Sequence, residues 1–155
     1  MELKIPGREP LCLEHILFDY NGTLALDGKL IEGASARLIT LADSLTLHVI
    51  TADTFGTVAS ALEGVPCRLK VIPPGSQAQS KLDYLLQLGK EKTLTVGNGA
   101  NDALMLREAA IGCALLQQEG LATAAWREAD IVFHSLFDLF DCLADPRRMI
   151  ATLRE

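Results

Sequence analysis

Short apolar runs alternate along the chain with longer stretches in which apolar residues recur at helical spacing. HILFD (15–19), TLHVITA (46–52), CRLKVIP (67–73), TLTVGN (93–98), IGCALL (111–116) and DIVFH (130–134) read as strands. Between them EGASARLITLADSL (32–45), TFGTVASALEG (54–64), SQAQSKLDYLLQLG (76–89), NDALMLREAA (101–110) and GLATAAWREA (120–129) read as helices, with Gly64 and Gly89 at C-terminal ends. Two short helices close the chain, the second after Pro146. Residues 1–13 are broken by Pro6 and Pro10 and are expected to form an arm or an edge hairpin. Strands that alternate with helices of this length predict an α/β fold, an open, doubly wound, Rossmann-like parallel sheet with helices on both faces. No repeat, linker or low-complexity segment interrupts the pattern, so a single domain over 1–155 is expected.

Composition narrows the function. The chain is 49% hydrophobic and 22% charged, an ordinary globular balance. Its net charge is −6 and no basic stripe occurs, which argues against nucleic acid as a partner. An acidic protein that handles an anion needs local positive charge, from a metal or from placed lysines. The cysteines at 12, 67, 113 and 142 form no CxxC pair and have no histidine at zinc spacing, so they read as reduced thiols. No apolar run reaches the ~20 residues of a membrane span. The charged, proline-broken start is unlike a signal peptide, and a soluble cytoplasmic protein is expected.

In an open parallel sheet, ligands sit at the carboxyl ends of the strands. Three polar groups fall there: Asp19; Thr51 with Ala52 and Asp53; and Gly97-Asn98-Gly99 followed by Asn101 and Asp102. Each alone reads as a turn or a helix cap. Their joint placement on one sheet edge reads as a site. Asp19 and Asp102 on adjacent strands would offer hard oxygen ligands suited to Mg²⁺. A carboxylate held against a phosphate can act as a nucleophile, while a hydroxyl and an ammonium stabilise the transferring charge. Lys81, in the first turns of a helix, can lean over that edge; Lys92 lies at the opposite end of the sheet and Lys70 within a strand. His15, His48 and His134 are scattered in or beside strands and read as core or surface residues, and Trp126 as packing.

The order Asp19-x-Asn21-Gly22-Thr23, Thr51, Lys81 and Gly97-x-Gly99-x-Asn101-Asp102 resembles the four motifs of the haloacid dehalogenase (HAD) superfamily. More narrowly it resembles the phosphorylation domain of P-type ATPases, whose D-K-T-G-T, T-G-D and G-D-G-x-N-D are matched by DYNGT, TAD and GNGAND. The segment EADIVF (128–133) also resembles the A-D-I-V-L of those pumps. The resemblance implies a capless HAD core and an Mg²⁺-dependent phosphatase with Asp19 as nucleophile. It implies phosphate binding by Asp19, Thr51, Ala52, Lys81 and Asn101. It also implies metal binding by Asp19, the carbonyl of Asn21, Asn98 and Asp102.

Two departures stand out. HAD phosphatases carry a second aspartate where this chain has Asn21, and an amide cannot exchange a proton at neutral pH. Asn98 replaces the first acid of the fourth motif, which predicts weaker Mg²⁺ binding, with Asp53 a candidate source of the missing acidity. Asn21 therefore predicts slow turnover of an aspartyl-phosphate. The spacing between motifs leaves no room for a lid. The expected substrate is a bulky phosphorylated molecule, or else a second subunit supplies the lid in a homo-oligomer. The competing readings are a low-turnover phosphate- or metal-binding regulatory module, a receiver-like signalling domain, which would lack GNGAND, and a dehalogenase.

Overall fold

The structure is a computed structural model that describes residues 1–53 and 56–154. A six-stranded parallel sheet is built from β3 (His15–Asp19), β6 (Thr46–Thr51), β7 (Cys67–Val71), β8 (Thr93–Gly97), β9 (Ile111–Leu115) and β10 (Ile131–Phe133). Its order is β10-β9-β8-β3-β6-β7. The chain winds outward from β3 through β6 to β7, then returns to β8 on the other side of β3. The strand order therefore reverses between β3 and β8, which opens a crevice at their carboxyl ends. Asp19 ends β3, and Asn98 directly follows β8.

Alternation along the strands assigns the two faces. Ile16, Phe18, Leu47, Val49, Leu94, Val96, Ile111, Cys113 and Leu115 point into the larger core. That core is closed by α1 (Ala34–Leu41), α2 (Val58–Ala61), α6 (Leu136–Ala144) and α7 (Pro146–Leu153). Leu17 and Ile50 point the other way, against α3 (Gln77–Leu88) and α4 (Ala103–Glu108), with α5 (Thr123–Glu128) beside them. Gly112 of β9 faces α4, and a Cβ there would overlap the Leu106 carbonyl, so the helix lies on bare backbone. β7 is an exposed edge carrying Arg68 and Lys70, charges that discourage further strand pairing.

Several elements are shorter than the sequence pattern predicts. The helix expected at 32–45 spans Ala34–Leu41, because Gly33 precedes it in a left-handed conformation (φ 83°) and the Leu41–Leu45 segment turns toward β6. Of the helix expected at 54–64, Val58–Ala61 is helical, while 54 and 55 lie outside the described residues. The helix expected at 101–110 opens as a 3₁₀ turn, Ala100–Asp102, before α4. The N-terminal arm does form a hairpin, β1 (Glu2–Leu3) with β2 (Leu11–Cys12), but this is a separate two-stranded sheet and not an edge of the main one. Trp126 does not pack: it is 61% exposed, since the short helix α5 buries only Ala125. Among the described residues no helix is long and apolar enough to cross a membrane. All four cysteines are free.

A part-buried polar chain centred on the buried His48 ties α3 to the sheet. His48 Nδ1 lies 2.9 Å from the Tyr84 hydroxyl, and His48 Nε2 lies 3.2 Å from His15 Nδ1. Burial, with His15 and Arg68 nearby, pushes His48 down to about 4. The folded protein thus holds His48 neutral where the unfolded chain, with its ordinary value near 6.5, would bind a proton. This stabilisation is complete above pH ~6.5 and is lost as pH falls toward 4. The stability advantage of the wild type over His48→Gln is expected to shrink by about 2–3 kcal/mol between pH 7 and 4.5. Paired urea titrations would measure it; a pH-independent difference would refute the neutral buried histidine.

Candidate functional site

The site begins with a turn. After Asp19 the chain folds back so that the Tyr20 carbonyl accepts from the N–H groups of Thr23, Leu24 and Ala25 at 3.3, 2.9 and 2.9 Å. Gly22 is needed twice over: its φ is 76°, and a Cβ there would collide with the Asn98 side chain. The turn leads into a small hairpin, β4 (Ala25–Leu26) with β5 (Lys29–Leu30). Asp27 and Gly28 form its tip with φ of 51° and 75°. Positive φ at both tip positions is what a two-residue loop between twisted strands demands.

Lys81, in the second turn of α3, reaches back over the edge and is 1% exposed. Its ammonium donates to Asp19 Oδ1 and to Asp102 Oδ1, each at 2.6 Å. Asp102 is fully buried, and its other oxygen accepts from the N–H groups of Asn98 (3.0 Å) and Gly99 (2.8 Å). A side chain at Gly97 would overlap the Asp102 carboxylate, so the strand end must be glycine for the acid to sit there. Two carboxylates around one ammonium leave an excess of buried negative charge. Burial first, and the Asp102 charge second, raise Asp19 well above the usual carboxylate range, against the pull of Lys81. For Lys81, burial lowers its value, but Asp19 and Asp102 outweigh it and the net shift is upward.

Around this triad stand the other polar residues. The buried Thr23 hydroxyl lies 3.4 Å from both Asp19 Oδ2 and Asn98 Oδ1. Thr51 ends β6, and its Oγ1 accepts the Asp53 N–H at 3.1 Å. Asp53 has φ of 27° and accepts the Thr57 N–H at 3.1 Å, so it caps the approach to α2. Asn21 is exposed. It lines, with Tyr20, Asp27, Lys29, Ala52 and Asp53, a cleft of about 500 Å³ beside the triad. Asn101 is turned sideways, its amide donating to Gln77 Oε1 at 2.7 Å at the start of α3.

The structure therefore gathers Asp19, Thr51, Lys81, Asn98 and Asp102 at one edge, with Asn21 and Ala52 at the cleft and Asn101 in a bracing contact. Lys92 pairs with Glu14 at the far end of the sheet (2.8 Å), and Lys70 lies over the Tyr84 ring (5.8 Å). His48 is buried, His15 is part-buried and His134 is exposed on the surface. Sequence reasoning missed the hairpin, and with it Asp27 and Lys29 in the cleft. The Asp27-Gly28 dipeptide between short apolar pairs was the available signal.

Asn98 has a reason to be an amide. Its Nδ2 donates to the Gly120 carbonyl at 3.0 Å, which turns Oδ1 toward Thr23. A carboxylate would face that carbonyl with no proton and would add a third acid beside Asp19 and Asp102. Asn98→Asp is expected to lower stability at pH 7.5 by about 1–3 kcal/mol. Chemical denaturation measures this, and an equally stable variant would show that the amide is not required.

Comparison with known proteins places the fold. No family model matches the chain. The uncharacterised protein MJ0073 of Methanocaldococcus jannaschii is 35% identical over 85 residues, which are 52% of this chain and 91% of that protein. The cobalt-bound deoxy-D-mannose-octulosonate 8-phosphate phosphatase (YrbI) of Haemophilus influenzae has a TM-score of 0.69 at 13% identity, over 89% of this chain and 92% of its own. The 3-deoxy-D-manno-octulosonate 8-phosphate phosphatase of Moraxella catarrhalis, in complex with magnesium, phosphate and KDO, has a TM-score of 0.66 at 16% identity, over 92% and 94%. A zinc-transporting PIB-type ATPase in the E2P state has a TM-score of 0.61 at 25% identity, over 79% of this chain and 20% of the pump. The chain belongs to the family of the Methanocaldococcus protein, and its fold is that of the haloacid dehalogenase superfamily.

Proposed function

We propose that the protein is a slow, Mg²⁺-dependent phosphatase that acts through an aspartyl-phosphate on Asp19. The observation that carries this reading is the buried Asp19–Lys81–Asp102 triad at the point where the strand order reverses. The donor set fits a hard divalent cation. Asp19 and Asp102 leave a net negative charge beside the Asn98 amide oxygen and the Asn21 carbonyl, all oxygen ligands. Among the described residues no three acidic, histidine or cysteine side chains converge, so the carbonyl and amide oxygens would have to complete the set. Bound Mg²⁺ would neutralise charge on the phosphoryl oxygens. Magnesium and phosphate in the Moraxella phosphatase, which shares the fold, support the reading.

This chain's own residues supply the rest. Lys81 favours the ionised form of Asp19, whose oxygen attacks phosphorus as the P–O bond to the leaving group breaks. Thr51 and Lys81 donate to the phosphoryl oxygens, with Ala52 and Asn101 beside them. The leaving group departs into the cleft beside Asn21, where Asp27, Lys29 and Asp53 present charge of both signs. The departing oxygen takes its proton from solvent, since Asn21 has none to give, and water then opens the acyl-phosphate without a general base. Both steps are slow for the same reason.

Hydrolysis of a chromogenic phosphate monoester is expected to require Mg²⁺ and to vanish in Asp19→Asn. Asn21→Asp is expected to raise turnover by about 10²-fold. Metal-independent turnover, or full activity in Asp19→Asn, would overturn the mechanism. A folded wild type with no turnover would favour a phosphate- or metal-binding regulatory module, the reading that the exposed Asn21 supports.

A further inference from the structure

The segment 116–122 between β9 and α5 runs across the turn that follows Asp19 and bonds to several separate parts of the site. Gln117 makes the central contacts. Its Nε2 donates to the carbonyls of Gly22 and Thr23, each at 2.9 Å, and its Oε1 accepts the Leu136 N–H at 2.9 Å. Glu119 accepts the Asp27 N–H at 2.9 Å, and Asn98 bonds to both Gly120 and Ala122.

We infer that Gln117 is a positioning residue for the Asp19 turn: one neutral amide clamps the Gly22 and Thr23 peptide units and anchors them to the start of α6. The orientation of that amide is fixed from both sides. A flipped amide would set its oxygen against two carbonyls and its NH₂ against an N–H, losing all three bonds. The turn needs an outside clamp because Gly22, demanded by its positive φ and by Asn98, is the residue least able to hold its own conformation. Thr23 lies between the two clamped carbonyls, so the clamp sets where its hydroxyl stands beside Asp19. A lysine or arginine could also donate to the carbonyls but would bring a charge into the site. Glutamate would keep the shape and lose the donor, and asparagine would fall one methylene short. The effect on turnover rests on the phosphatase reading; the effect on the turn does not.

Gln117→Met and Gln117→Glu separate the clamp from general packing, with the exposed neighbour Gln118→Ala as control. Two readouts are needed. Amide hydrogen exchange at Gly22, Thr23 and Leu24 is expected to quicken by about tenfold or more relative to β9 amides, the scale of losing two hydrogen bonds. With the chromogenic ester, kcat is expected to fall by about tenfold or more while KM stays within about twofold, because binding groups survive and alignment does not. Unchanged exchange and kcat in both folded variants would overturn the clamp, as would acceleration spread evenly over the chain. Faster turn exchange in a protein whose wild type has no phosphatase activity would keep the clamp and overturn the phosphatase reading.

Discussion

One ammonium shared by two buried carboxylates organises this molecule. Placing Lys81 between Asp19 and Asp102 joins the end of β3, the turn after β8 and the second turn of α3 in one contact. Such a bridge is costly to desolvate, and removing Lys81 would leave two buried carboxylates unpaired, at a cost of about 3–5 kcal/mol. The surrounding structure reads as a set of conditions for keeping it. Gly97 makes room for the Asp102 carboxylate, two backbone N–H groups hold it, and Gln77 braces the helix that carries the lysine. The electrostatic frustration is built in, because the acids outnumber the base.

That imbalance connects fold to chemistry. A sheet that winds outward from β3 and then returns on the other side must leave a crevice between β3 and β8. The polar residues Asp19, Thr51, Lys81, Asn98 and Asp102 are buried there, so each needs a hydrogen-bond partner. Asn98 marks the compromise: in place of a further acid the chain has an amide, which serves the strap at Gly120 and still turns an oxygen inward. Asn21 stands apart: it is exposed, its backbone bridges to Ala25, and its side chain makes no hydrogen bond among the described residues.

The sheet and the triad were legible because they depend on short-range signals. Each strand is an apolar run, and Asp19, Thr51 and Asn98 stand at the end of one or directly after it. Lys81 was reachable by elimination, since direction along the sheet alone places Lys92 at the wrong end. What escaped were features set by long-range contacts. Gln117 sits in a loop with no motif of its own, and its partners are 95 and 94 positions away. Trp126 followed helical spacing but lies on a helix too short to bury it. The hairpin tip at Asp27-Gly28 was locally encoded, but its strands are only two residues each, below the length at which alternation can be read.

The bare backbone at Gly112 reaches further than its place in β9 implies. Because nothing projects there, α4 settles onto the strand at the Leu106 carbonyl, and α4 begins immediately after Asp102. The depth of the acid in the crevice is thus set from one turn further along the chain, at the fourth residue of a six-residue helix. A single methyl group added to the sheet at Gly112 would press on the Leu106 backbone, lift the helix and carry the carboxylate with it. The geometry at the rim is therefore constrained by a position that contributes no side chain.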